Sequence, residues 1–494
     1  MKHFLWVPDN LDLDSLLQDY DFTDINGFHK DNLCYILHLI NEIPSCNKDI
    51  ITETGYVPLH SVIMRKWLYD YSRYINCLLE IGVLETDNVY ILGEKAKGYR
   101  YAQRFRTGLK RMLVTDGTLI KKLTEWRSHK DYSLGASSSA VSELSILKDE
   151  VIVPAMQYND VARWYNTETI EIDASSAHAY NRAIYEYKRL DQSRWDKKPT
   201  SDGSHYLKDP YTQYIAGWRS IEKVKDGVYN LHADGNIYRL HSCITNCKKE
   251  LRHFITIKGQ LVRVTDLSNS QPTLLLILLN PDFWDGTGRF NYTNIPYLDI
   301  NSIFSNTTHI PILIKLLKNL QHNESSKSEL IRFREMVLSG RFYEDFATLI
   351  KSELGIEYSR EDIKPLMFTV LFTSNRFISQ PGSEPKQIFK RLFPSVYDIL
   401  RRIKQRSANN LPILLQRIES YIMYYRICPA IALKTPDLPI IPIHDSIATI
   451  KGQEDVIEAV MKQQLAECLG AEPHLKFEDW DMQTVMSSIQ AMAA

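Results

Sequence analysis

Much of what this 494-residue chain lacks excludes something. Its net charge is −1, so the whole molecule carries no electrostatic signature for polyanions. No apolar run approaches the ~18 residues that cross a bilayer; the longest candidate, Leu274 to Leu279, is far too short. A basic region followed by an apolar core, the mark of a secretory leader, does not open the sequence. Cysteine is sparse and scattered: Cys34, Cys46, Cys77, Cys243, Cys247, Cys428 and Cys468 are an odd number with no CxxC pair. Reduced thiols and a cytoplasmic setting are expected, with no membrane partner. Cys243 and Cys247 are four apart, but no second ligand pair follows, which argues against structural zinc. There is no internal repeat.

Charge is uneven along the chain. Residues 95–130 hold eleven Lys and Arg against Asp116 and Glu125, with Tyr99, Tyr101 and Phe105 between them. Residues 386–406 hold seven basic residues against one acid. A basic run is usually a solvated face, but interleaved aromatics favour backbone contact plus base stacking, so both runs are candidate nucleic-acid surfaces.

Two short stretches carry the chemistry. In Pro439-Ile-Ile-Pro-Ile-His444-Asp445-Ser446-Ile-Ala-Thr-Ile450, two β-branched arms flank a polar His-Asp-Ser, the pattern of a buried hairpin. An aspartate at the tip of an apolar hairpin either bonds its own turn or is held against a cation. The second stretch decides between these. Leu261, Val262 and Val264 read as a strand delivering Asp266, followed by polar Ser268 to Gln271 and a leucine-rich helix, Thr273 to Asn280, starting after Pro272. Two aspartates on neighbouring strand ends suit two divalent cations about 4 Å apart, an arrangement for in-line phosphoryl transfer.

The pair resembles motifs A and C of family A DNA polymerases and the related phage-type single-subunit RNA polymerases. A third stretch, Tyr358 to Thr373, resembles their fingers helix: Arg360, Lys364, Phe368 and Phe372 recur every four residues, near one helix face. Phe372 stands where the family has Tyr, and Thr373 where it has Gly. Pro365 reads as a first-turn residue, which would put Arg360 off the helix of Lys364. Tyr238 to Ser242 and Leu251 to Ile255 resemble the segments ahead of motif A, and Gln416 resembles the glutamine of the helix before motif C. The strand Pro473 to Trp480, after a helix from Val456 to Cys468, resembles the family's close.

The resemblance implies an α+β right-hand polymerase of palm, fingers and thumb, with an N-terminal helical and winged-helix-like region. Its divisions would be 1–130 N-terminal with a basic end, 131–235 thumb-like, 236–300 first palm part, 301–400 fingers and 401–494 second palm part. Asp266 and Asp445 would be catalytic and, with the Leu267 carbonyl, would hold two Mg2+, with Mn2+ as a substitute. Arg360 and Lys364 would hold the triphosphate, Phe368 and Phe372 would stack on the base, and Gln271 would meet the sugar. Arg239, Arg252, Gln416 and His444 would touch the primer-template. No acidic set resembling the family's proofreading exonuclease precedes the palm. A bulky Gln271 favours dNTPs, whereas His-Asp-Ser is closer to the RNA enzymes. The implied activity is template-directed DNA synthesis. An RNA polymerase, primase or reverse transcriptase on the same palm stays open, as does a winged-helix DNA-binding replication protein with an inactive palm.

Elsewhere the pattern is plainer. Apolar spacing predicts a helix from Leu33 to Ile43 stopped by Pro44. Residues 55–104 read as a winged helix: Ser61 caps one helix, Tyr71 to Glu80 forms another ending at Gly82, and Val83 to Glu85 pairs with Val89 to Leu92 across Thr86-Asp87-Asn88. Helices are expected over Val151 to Tyr165 and Ser175 to Leu190, and loops over Asp191 to Lys208 and Gln321 to Ser328.

Overall fold

The computed structural model describes residues 3–23, 25, 27–92, 95–129, 158–199, 205–298, 300–304 and 309–493. The chain is mixed α/β, mostly helical, with several small antiparallel sheets. The expected helix Val151 to Tyr165 falls partly outside the described residues; within them, Asn159–Ala162 is helical.

The N-terminal core forms around the helix Lys30–Cys46, whose Leu33, Ile36 and Leu37 are fully buried. Pro44 lies inside this helix and does not stop it. The Asn47 N–H still reaches the Ile43 carbonyl at 2.9 Å, so only the bond that proline itself would donate is lost. Strand Phe4–Pro8 pairs with Leu109–Leu113 beside it.

Residues 55–104 form two helices and a small three-stranded sheet, with two departures from the expectation. His60, not Ser61, is the N-cap of Ser61–Trp67, and the second helix is Tyr71–Glu80 as expected. The strand that Leu84–Thr86 pairs with is Gly98–Tyr101, not Val89 to Leu92. Asp87 explains the longer loop. It accepts from the Val89 and Gly98 N–H groups and meets Lys95 at 3.0 Å, so the chain swings wide and leaves Leu92 75% exposed. A Cβ at Gly98 would sit 2.8 Å from that of Tyr56, which is why the returning strand starts on glycine.

The basic run at 95–130 is spent internally over most of its length. Arg100 pairs with Glu85, Arg106 with Asp209 and Arg111 with Glu222 and Asp226, while Arg104, Lys110 and Lys122 donate to backbone carbonyls. Tyr99, Tyr101 and Phe105 are buried. These aromatics hold a core and are not a stacking platform, which corrects the nucleic-acid reading of this run.

The helix Ala174–Arg189, capped by Asp173, packs on Pro210–Lys225. Tyr211, Tyr214 and Ile215 of the latter enter the N-terminal core. So a helix expected in a separate thumb-like unit is shared with the N-terminal region. The expected loop at 191–208 contains a short hairpin, Lys197–Pro199 with His205–Leu207.

Four antiparallel strands carry the candidate site, in the order Ile441–Ile443, Ser446–Ile450, Val262–Leu267, Leu475–Trp480. Alternation divides the central strand between two cores: Val262 and Val264 face one, Leu267 the other. Helices Ser270–Leu278, Asn410–Tyr421 and Glu454–Leu469 pack on the second side. A helical group from 309 to 403 shares a phenylalanine core of Phe333, Phe342, Phe346, Phe389 and Phe393. The expected polar loop at 321–328 is mostly the start of Glu324–Leu338, because Asn323 caps that helix through the Ser326 N–H.

Candidate active site

Asp266 is the penultimate residue of the central strand, opposite Ser446 on one side and Lys476 on the other. The chain leaves the strand through Asn269, whose φ of +52° turns it into the helix Ser270–Leu278. That helix begins two residues before Pro272 rather than after it, and Thr273 Oγ1 fastens the turn to the Ser268 carbonyl. Across the sheet, Ile443 pairs with Ser446 and leaves His444-Asp445 as a two-residue turn. His444 takes a φ of +58°, and Ser446 Oγ donates to the Ile443 carbonyl at 2.8 Å. The Leu267 N–H then donates to the Asp445 carbonyl at 3.2 Å, which fixes the two aspartates at one end of the sheet.

A third carboxylate joins them. Glu419, on Asn410–Tyr421, is only 3% exposed. Arg239 grips it through Nε at 2.9 Å and a terminal nitrogen at 2.7 Å, and Gln271 Nε2 donates to it at 3.2 Å. Arg239 and Gln271, expected at the primer-template and the sugar, are therefore tied to one buried acid.

The electrostatics follow from crowding. Burial, then the neighbouring Asp445 charge, pushes the Asp266 carboxyl up to about 6, against the pull of Lys476. Lys476 Nζ lies 2.8 Å from Asp266 Oδ2. Burial pushes Glu419 up to about 7; Arg239 opposes the rise, and Asp445 and Asp266 add to it. Three carboxylates thus face two cationic side chains, Arg239 and Lys476, a balance that favours a further cation. Among the described residues no three His, Cys, Asp or Glu side chains are arranged as a metal-ligand group.

His444 is held neutral. Burial, then the positive charge of Arg239, pushes its imidazole down to about 3, and Nδ1 has no protein partner. His241 meets it edge-on at 6.2 Å and stacks on His232 at 5.5 Å.

Arg360 and Lys364 share one helix, Arg360–Phe372, which contradicts the first-turn reading of Pro365. The proline is tolerated inside because Ser359 caps the helix and Ile363, Leu366, Met367 and Val370 anchor one side. The opposite side presents Lys364 and a 38% exposed Phe368, with the ammonium 5.8 Å from the ring. Phe368 stacks on the half-buried Phe372 at 5.4 Å.

Arg252, expected at the primer-template, donates to the carbonyls of Ile244 and Thr245 at 3.1 and 2.8 Å, closing the short helix Cys243–Asn246. Gln416 is half-buried one turn before Glu419.

No family model matches the chain. No curated protein matches it either. Among solved structures it is similar to the POL domain of Pol1 from M. smegmatis in complex with DNA primer-template and dNTP. That similarity spans 74% of each chain at 13% identity, with a TM-score of 0.30. No described helix is long and apolar enough to cross a membrane.

Sequence reasoning missed Glu419 and Lys476. The first had a signal: Glu419 is four residues after Leu415 and one after Ile418, on the apolar stripe of its helix. A carboxylate there needs a buried partner. Lys476 had none, since only strand pairing sets it opposite Asp266.

Proposed function

We propose that this chain is a template-directed nucleotidyltransferase, a DNA polymerase without a proofreading exonuclease, which transfers a nucleotide from a dNTP to a primer 3′-hydroxyl. The carrying observation is the pairing of Asp266 and Asp445 at one sheet end, linked through the Leu267 N–H. The solved-structure likeness, at a TM-score of 0.30, does not carry it.

Asp266, Asp445 and the Leu267 carbonyl would hold two Mg2+. Bound there, the ions supply Lewis acidity to the 3′-hydroxyl and charge neutralisation to the triphosphate. The protein's own share is positioning. Lys364, with Arg360 on the same helix, binds the triphosphate, and Phe368 and Phe372 stack on the incoming base. Gln271, locked by Glu419, sets the room beside the sugar and favours a 2′-deoxy substrate. Arg239, held by the same acid, lies on the primer-template side with Gln416 and His444; the neutral His444 ring orients the turn and meets the primer end.

Primer extension with Mg2+ on matched DNA and RNA templates, offered dNTPs or rNTPs, tests this. Template-dependent dNTP addition that disappears in Asp445→Asn is the expected result. A preference for rNTPs would keep the paired aspartates and sink the sugar argument. No incorporation under any condition would sink the polymerase reading.

A further inference from the structure

Away from the aspartates, an open pocket lies where the end of helix Lys30–Cys46, the following turn and helix Pro210–Lys225 meet. Lys48, Lys208 and Lys248 converge on it, with Gln213 and Ser220 in the wall.

Its lysines make few direct bonds among the described residues, although Glu250, Asp196 and Asp49 lie near enough to favour their charged forms. Among the described residues no acceptor lies within hydrogen-bond reach of the Lys48 ammonium. Lys208 Nζ has a single carbonyl, that of Lys48, at 3.2 Å. Lys248 Nζ stays 3.8 Å from Asp196, whose oxygens are already taken by Lys188 and by Gln213 Nε2. Burial pushes Lys48 and Lys248 down to about 8 and lowers Lys208 as well. Gathering three ammonium groups in a partly desolvated pocket is unfavourable without an anion.

The wall also fixes what kind of anion fits. Gln213 is 4% exposed, and its Oε1 has no partner. Its Nε2 donates to a carboxylate, which fixes the amide with Oε1 left as an acceptor. Three ammonium groups match the several oxygens of a phosphate better than a two-oxygen carboxylate. The unpaired acceptor can take a hydrogen bond from a ligand hydroxyl. Phosphate joined to a hydroxylated sugar supplies both.

We propose that Lys48, Lys208 and Lys248 form a phosphate-binding site, apart from the paired aspartates, which takes the sugar-phosphate of a free nucleotide or of a nucleic-acid strand. Nothing in this proposal depends on catalysis at Asp266 and Asp445.

Its test is binding to the full chain. Adenosine monophosphate is titrated by calorimetry, and a fluorescein-labelled single-stranded 16-mer DNA by anisotropy at several salt concentrations. Wild type is compared with the double variant Lys48→Gln, Lys248→Gln and with Lys48→Gln alone, which serves if the double variant does not fold. A free-nucleotide site predicts at least tenfold weaker adenosine monophosphate binding in the variant. A strand site leaves that titration unmoved, but weakens the 16-mer and lowers its log K against log salt slope by about 0.7 per lysine removed. If neither ligand distinguishes the variants from wild type, the proposal is overturned.

Discussion

At the scale of single residues, the site is a crowd of acids held by few cations. Asp445→Asn removes one of two paired carboxylates without changing volume. Extension is expected to fall roughly a thousandfold, about 4 kcal/mol of barrier, with thermal unfolding not lowered, since repulsion with Asp266 is relieved. Lys476 behaves differently, because its exposed ammonium competes with any divalent ion for Asp266. An ion pair this exposed is worth at most about 1 kcal/mol. Lys476→Met should therefore tighten Mn2+ binding by up to about fivefold, read from free Mn2+ by electron paramagnetic resonance. Weaker binding in the variant would contradict the competition. Glu419→Gln leaves the Arg239 guanidinium without its counter-charge in a buried setting. Because burial has already pushed that acid up to about 7, the expected loss in urea unfolding at pH 7 is at most about 1 kcal/mol.

At the scale of elements, the helix Arg360–Phe372 ends on a device hidden in a basic run. Lys386 and Lys404, from the stretch expected to contact nucleic acid, are buried. Their ammonium groups donate to the carbonyls of Val370, Leu371, Thr373 and Ser374. They satisfy the carbonyl end of that helix. Burial pushes Lys386 down to about 8; burial, then Lys386, pushes Lys404 down to about 7. The sign follows from linkage. Between pH 7 and the unfolded value of 10.5 the unfolded chain binds more protons, so stability falls as pH drops through that window and levels off below it. Thermal unfolding of wild type should rise from pH 7 to pH 9.5 more steeply than that of Lys404→Met; parallel curves would refute this. Resemblance and spacing together made the helix legible, though its start was misread at Pro365. Its cap was not legible, because Lys404 is 31 residues beyond the Thr373 carbonyl that it meets.

Across the whole molecule, the N-terminal region is fastened to helix Pro210–Lys225 by buried charge. Glu42 meets Lys223, and Arg219 bonds it at 2.9 Å. Burial alone would raise the Glu42 carboxyl, but Lys223 and Arg219 hold it well below the usual range. Its contribution is complete above the unfolded value of 4.5 and is lost as pH falls below it. Glu42→Gln is expected to cost about 3–5 kcal/mol. In wild type at pH 4, hydrogen exchange should quicken first along residues 30–46 and 210–225. Uniform quickening would argue that this junction is no weaker than the rest.

Local pattern was enough for the strand ending at Asp266, the His444-Asp445 turn and the helix Tyr71–Glu80, since each is set within a few residues. Only tertiary packing decided that Glu419 joins the aspartates, that Arg239 and Gln271 answer to it, and that Lys476 faces Asp266. It likewise decided that much of the basic run at 95–130 is consumed by partners such as Asp209 and Glu222, about a hundred residues away. The reason is physical. Periodicity records which face of an element is apolar, whereas charge compensation is settled between elements that meet only in the folded chain.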